Sequence, residues 1–168
     1  MGKKVKIGAV AWGLPGRRNL RCQDSQGRGL DGIQLELGSY EAGYPLAQRE
    51  VIEGYLEDKE RYGIEYPALV LNDVMVNEFI NGRNTEHGRI AYDQIALGVE
   101  TAKRMGIDRI MIPNFIENLI TCGRHVEHTK DALSLRLQSG GSGGNPDSHG
   151  ERIGLEGTGG TAAGYWGG

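Results

Sequence analysis

Apolar positions along the chain fall into two rhythms. Short runs dense in β-branched and aliphatic residues, "VKIGAVAW", "GIQLELG", "YPALVLND" and "RIMIPNF", read as strands. Between them the period changes to that of a helix. From Pro45 to Tyr62, the side chains of Val51, Ile52, Tyr55, Leu56 and Tyr62 fall on one side, with Pro45 tolerated in the first turn. From Glu86 to Met105, Ala91, Ile95, Val99, Ala102 and Met105 do the same, and "HVEHTKDAL" begins a further helix. The pattern Gly, Leu or Ile, acid recurs as Gly29-Leu30-Asp31, Gly63-Ile64-Glu65 and Gly106-Ile107-Asp108, each copy leading into an apolar run. Gly63 and Gly106 read as helix C-terminal glycines in the left-handed conformation.

Strands that are apolar on both faces and alternate with helices predict a parallel sheet covered by helices. The expected body is an α/β repeat of four strands, with helices after the second, third and fourth. A parallel connection needs about a dozen residues, usually as a helix. The first one falls in "GRRNLRCQDSQGRG", which has almost no apolar face, so the first crossover helix is expected to be missing.

Composition narrows the class. With 168 residues, a net charge of -3 and 38% apolar residues, the chain fits one soluble domain or part of a larger one. No apolar run is long enough to span a bilayer, and the start "MGKKVKIGAVAW" lacks the features of a signal peptide, so no membrane partner and a cytoplasmic location are expected. Cys22 and Cys122 make no disulfide framework, consistent with a reducing compartment. Mixed charge along the chain argues against nucleic acid as the main partner.

Glycine divides the chain. Of its 28 glycines, 12 lie in residues 139–168, so the expected organisation is a partial domain at 1–138 followed by a disordered Gly/Ser-rich tail at 139–168. A one-nucleotide shift of frame offers an origin for both irregular stretches. Asn19 to Arg28 permits codons whose overlapping frame reads "IYAVKIAKEA", an amphipathic helix running into Gly29. From Ser134 onward permitted codons read "RFACNLAAAEEILTVTENALDWKEQ", in which "GERIGLE" covers "ENALDWK". Residues 17–28 and 134–168 are therefore expected to be out-of-frame products.

The segments "IGAVAWGLPG", "GLDGIQLELGSYEAGYPL", "LVLNDVMVNEF" and "MGIDRIMIPNF" together resemble the amino-terminal half of the sugar phosphate isomerase/epimerase family, the xylose isomerase-like TIM barrels. The resemblance runs from residue 4 to about 133, apart from the patch at 17–28, and rests on the ordered series of strand ends. It implies the first half of a (β/α)8 barrel, about four βα units, with the site at the carboxyl ends of the strands. It also implies a sugar or sugar phosphate as substrate, and proton transfer between adjacent carbons of a ketose. In the family a divalent metal ion (Mn, Mg, Co or Zn), held by carboxylates and a histidine of later strands, polarises the carbonyl and hydroxyl while a carboxylate moves the proton. The first such ligand corresponds to the Glu of the hidden "TENALDWK", whose codon here reads Gly150. No metal ligand is therefore assigned to this chain, and the chain is expected to be truncated and inactive.

Four residues at the strand ends remain as substrate-binding candidates. Trp12 follows the first strand as an apolar wall for a sugar, or as an aromatic packed at the barrel rim. Glu36 lies two residues after Gln34 on the same strand face and is the best acid; the family often has Glu where this chain has Gln34. Asn72 and Asn114 end the third and fourth strands, to bond substrate hydroxyls or to cap turns. Asp73, Asn77 and Glu117 read as loop residues.

Weaker signals are set aside. "HVEH" places His125 and His128 one turn apart around Glu127 without the HExxH spacing, and reads as a solvated face. "GGSGG" lacks the Lys and Ser or Thr of a phosphate loop, His87 is expected to be exposed, and "KKVK" is too short for a nucleic-acid patch. Two alternatives stay open: an endonuclease IV-like barrel acting on abasic DNA, against which the net charge of -3 counts, and a non-catalytic half-barrel. Half a barrel exposes the apolar surface its missing strands would cover, so self-association is expected.

Overall fold

The computed structural model describes residues 5–16, 18–115 and 118–138. Strands β1 (Gly8–Val10), β2 (Gly32–Glu36), β3 (Leu69–Val70) and β4 (Ile110–Met111) form one sheet in the order β1-β2-β3-β4. Each pairs in parallel with its neighbour, with Ala9 opposite Ile33, Leu35 opposite Leu69, and Leu69 opposite Ile110. Helices α1 (Arg18–Gly27), α2 (Arg49–Tyr62) and α3 (Glu86–Met105) make the crossovers, and α4 (Gly123–Gln138) follows β4. The expected tail at 139–168, with its "GGSGG" run and Gly150, lies outside the described residues, as does Glu117.

The helix expected to be missing is present: α1 occupies the stretch with almost no apolar face. Its signal lies at its end rather than on its face. Gly29 adopts φ 72, and Leu30 donates its backbone N–H to the carbonyl of Ser25, closing the helix in the way Gly63 (φ 63) and Gly106 (φ 67) close α2 and α3. A crossover between neighbouring parallel strands has to run over one face of the sheet, and this one does so with small residues inward: Cys22 and Ser25 are fully buried. A second correction concerns Pro45. It opens a separate 3-10 turn (Pro45–Ala47), because Gln48 is extended (φ -69, ψ 136), and α2 begins only at Arg49.

The core lies between the sheet and its helices. Ile33, Leu35 and Leu37 project from β2, and Leu69 and Leu71 from β3, onto Ile52 of α2 and Ala91, Ile95, Ala102 and Met105 of α3. Gly98 lets α3 approach β3 closely: a Cβ there would stand 2.7 Å from Cδ2 of Leu71. Thr85 caps α3, its Oγ1 accepting from the Gly88 N–H at 2.9 Å. α4 packs on α3 and on the 3-10 turn Phe79–Asn81.

Candidate functional site

Parallel strands deliver their carboxyl ends to one side of the sheet, and the loops that follow gather there to form the mouth of the sheet. Glu36 is the last residue of β2, and Asn72 opens the 3-10 turn (Asn72–Met75) directly after β3. The Asn72 amide donates to one Glu36 carboxylate oxygen at 3.1 Å. The period-two alternation of β2 keeps Leu35 and Leu37 buried while Glu36 emerges half-buried on the opposite face. Trp12, in the 3-10 turn Ala11–Gly13 after β1, is 49% exposed. Asn114 is exposed beyond β4. The fold thus joins Glu36 to Asn72, while Trp12 and Asn114 stand at the same end of the sheet without a hydrogen bond to that pair. Gln34, one pleat below Glu36, directs its amide at the Met111 sulfur at 3.8 Å.

Two further contributors are not evident from the sequence pattern. Asp73, which reads as a loop residue, ties the mouth together: one carboxylate oxygen accepts from the Asn77 amide at 2.9 Å and from the Tyr40 backbone N–H at 3.3 Å. The four-residue spacing of Asp73 and Asn77, one helical turn, is the signal that points to their pairing. The loop that Asp73 anchors carries Tyr40, which is half exposed, and Tyr44, whose ring meets that of Tyr40 edge-on at 6.3 Å. Tyr44 is held at φ 50. Burial first, then the charge of Asp73, pushes its hydroxyl well above the usual tyrosine range, so it stays protonated. The second contributor is Arg21 of α1. It lines a cavity of about 150 Å³ with Glu36, Leu37, Leu46 and Tyr55, and its Nε is buried without a hydrogen-bond partner. No sequence signal marks it, because the stretch that carries it has no apolar face from which to place a side chain.

The site can therefore present one carboxylate oriented by an amide, a second carboxylate spent on loop anchoring, and the aromatic surfaces of Trp12 and Tyr40. Among the described residues no three His, Cys, Asp or Glu side chains come together to hold a metal ion. His128 donates through Nδ1 to the Ile80 carbonyl at 2.5 Å, His125 meets Thr121 at 3.3 Å, and Glu127 bonds Lys130 at 2.8 Å. "HVEH" is thus spent on local structure. His87 lies 3.2 Å from Glu78. Cys22 and Cys122 are not joined in a disulfide; the first is buried, with its sulfur 3.5 Å from the Tyr66 hydroxyl, and the second is exposed. No helix among the described residues is long and apolar enough to cross a membrane.

No family model matches the sequence, and no curated protein matches it. The architecture does have a counterpart. The chain superposes on the crystal structure of the 3-keto-D-glucoside 4-epimerase YcjR from E. coli, in its apo form, with a TM-score of 0.53 and 19% identity. The match covers 81% of this chain and 50% of that one, so the chain spans about half the length of the epimerase. At that identity the likeness shows the fold: four parallel βα units, part of a TIM-barrel-like architecture.

Proposed function

We propose that this chain is a sugar-directed module of the isomerase and epimerase kind, drawn from the amino-terminal half of a xylose isomerase-like barrel. The observation that carries the reading is the Glu36–Asn72 pair at 3.1 Å on adjoining strand ends of a fold shared with a sugar epimerase. An amide-oriented carboxylate accepts a hydroxyl proton in a defined direction, and the half-exposed rings of Trp12 and Tyr40 offer apolar faces for the C–H side of a sugar. Asn114 extends the polar rim. The ligand class is a free sugar or a sugar phosphate, met in a reducing cytoplasm.

Proton transfer between adjacent carbons needs an acid–base group on the substrate carbon and, by the family resemblance, a divalent ion beside the carbonyl. The described residues do not assemble ligands for such an ion. These residues by themselves are accordingly proposed to bind without turnover, with residues 17–28 and 134–168 read out of frame. The gene's codons across 17–28 and 134–168 test that origin directly.

Binding and turnover are tested separately. Titration calorimetry with a panel of ketoses and ketose phosphates is expected to find a ligand whose affinity falls about tenfold or more in Glu36→Gln, the loss of a charge-assisted hydrogen bond. Mass spectrometry after incubation in D2O is expected to find no deuterium beside the carbonyl. Binding unchanged in Glu36→Gln, or binding of abasic DNA in preference to every sugar, would sink the reading.

A further inference from the structure

Asn118, in the loop after β4, is fully buried although its side chain is polar. Both ends of its amide are spent on the segment that follows β3. Its Nδ2 donates to the Val74 carbonyl, and its Oδ1 accepts from the Phe79 backbone N–H at 3.1 Å. Val74 lies in the 3-10 turn Asn72–Met75, Phe79 begins the turn Phe79–Asn81, and both are buried. One side chain thus brackets residues 74–79 from 44 and 39 positions away.

The arrangement needs this residue type. An amide carries a donor and an acceptor at a fixed spacing, whereas an ionised carboxylate only accepts and a hydroxyl has a single polar atom. A buried amide with one end unpaired is costly, so the conformation of 74–79 that satisfies both ends is favoured over its alternatives. The first of these turns also supplies the site. Asn72 opens it and donates to Glu36 at 3.1 Å, and Asp73 follows with its bonds to Asn77 and Tyr40. Asn72 therefore lies between two anchors. On one side the Leu71 N–H donates to the Met111 carbonyl at 3.0 Å, and on the other Asn118 grips Val74. Both anchors come from β4 or the loop after it.

We propose that Asn118 is the positioning residue of the Glu36–Asn72 pair. By holding the turn after β3 it keeps the Asn72 amide aimed at the carboxylate, and through that amide it sets the direction in which Glu36 can accept from a ligand. A hydrogen bond weakens steeply once donor and acceptor leave their line, so a turn released at Val74 leaves Glu36 unoriented. The consequence for a ligand rests on the sugar reading; the positioning does not, and its test uses no ligand.

The reporter is the Asn72 side-chain amide resonance of the 168-residue polypeptide, with Glu36→Gln marking where it moves when the carboxylate is lost. Asn118→Leu keeps the shape of the side chain and removes both polar ends; it is expected to move that resonance most of the way to its Glu36→Gln position. Thr85→Ala, which weakens the fold at the cap of α3, is expected to leave it in place. An unmoved resonance in folded Asn118→Leu overturns the proposal, as does an equal displacement in Thr85→Ala, which would make the shift one of general destabilisation. Where Asn118→Leu does not fold, the wild-type chain decides. Urea below the unfolding transition is expected to free the Phe79 N–H for exchange and to shift the Asn72 resonance in one step, and an Asn72 signal that holds while Phe79 exchanges freely overturns the proposal. A shift in Asn118→Leu together with sugar binding indifferent to Glu36→Gln would uphold the positioning and remove only the sugar reading.

Discussion

Helices α1 and α3 do the same topological work and are built in opposite ways. Each carries the chain across the sheet between two neighbouring parallel strands. α3 announces itself: its apolar residues keep helical period, Thr85 caps its start, Gly106 ends it in the left-handed conformation, and nine of its residues are buried. α1 buries Cys22 and Ser25, leaves Leu20 half exposed, and has no acid in its first turn. The contrast teaches that a crossover helix can be placed by the strands on either side of it, with small residues inward, whereas a helix that forms a core wall needs a continuous apolar stripe.

The two helices differ most at the apolar stripe. Ile95→Ala removes a side chain that is 3% exposed and packed against the sheet, and is expected to cost about 2–5 kcal/mol in urea unfolding. A cost below about 1 kcal/mol would show that α3 is as loosely held as α1. Next in size is the cap. Thr85→Ala takes the acceptor from the Gly88 N–H and is expected to lower stability by about 1 kcal/mol, read from the same unfolding curves, with amide exchange quickening in the first turn of α3. The smallest effect is expected on α1. Ser25 is fully buried with a hydroxyl that lacks a hydrogen-bond partner, so Ser25→Ala is expected to leave the melting temperature unchanged or slightly raised. A clear drop there would mean that α1 depends on a polar contact.

The mouth shows the same division between local and distant causes. That Glu36 ends a strand and leaves the core face follows from alternation along β2, and is legible in the residues of that strand alone. Its bond to Asn72 is not, because it spans 36 residues and depends on β3 lying in register beside β2. Asp73 reads as an ordinary loop acid for a related reason: one of its partners is the backbone N–H of Tyr40, 33 residues away, which carries no residue-specific signal. Arg21 is illegible because a weakly patterned helix gives no inward face by which to place a side chain.

What the sequence determined by itself is therefore everything governed by short-range chemistry. It marked four strand segments by aliphatic density, α2 and α3 by helical period, and their ends at Gly63 and Gly106 by the left-handed turn that glycine adopts without steric cost. Tertiary structure decided the rest: that residues 18–27 coil into α1, that Pro45 opens a separate turn, that Glu36 meets Asn72, and that β1 and β4 flank the other two described strands. The physical reason is range. Hydrogen bonding and steric preference along a few residues are written in those residues, whereas the burial of Cys22 and the pairing of strand ends depend on which distant segments come to lie beside them.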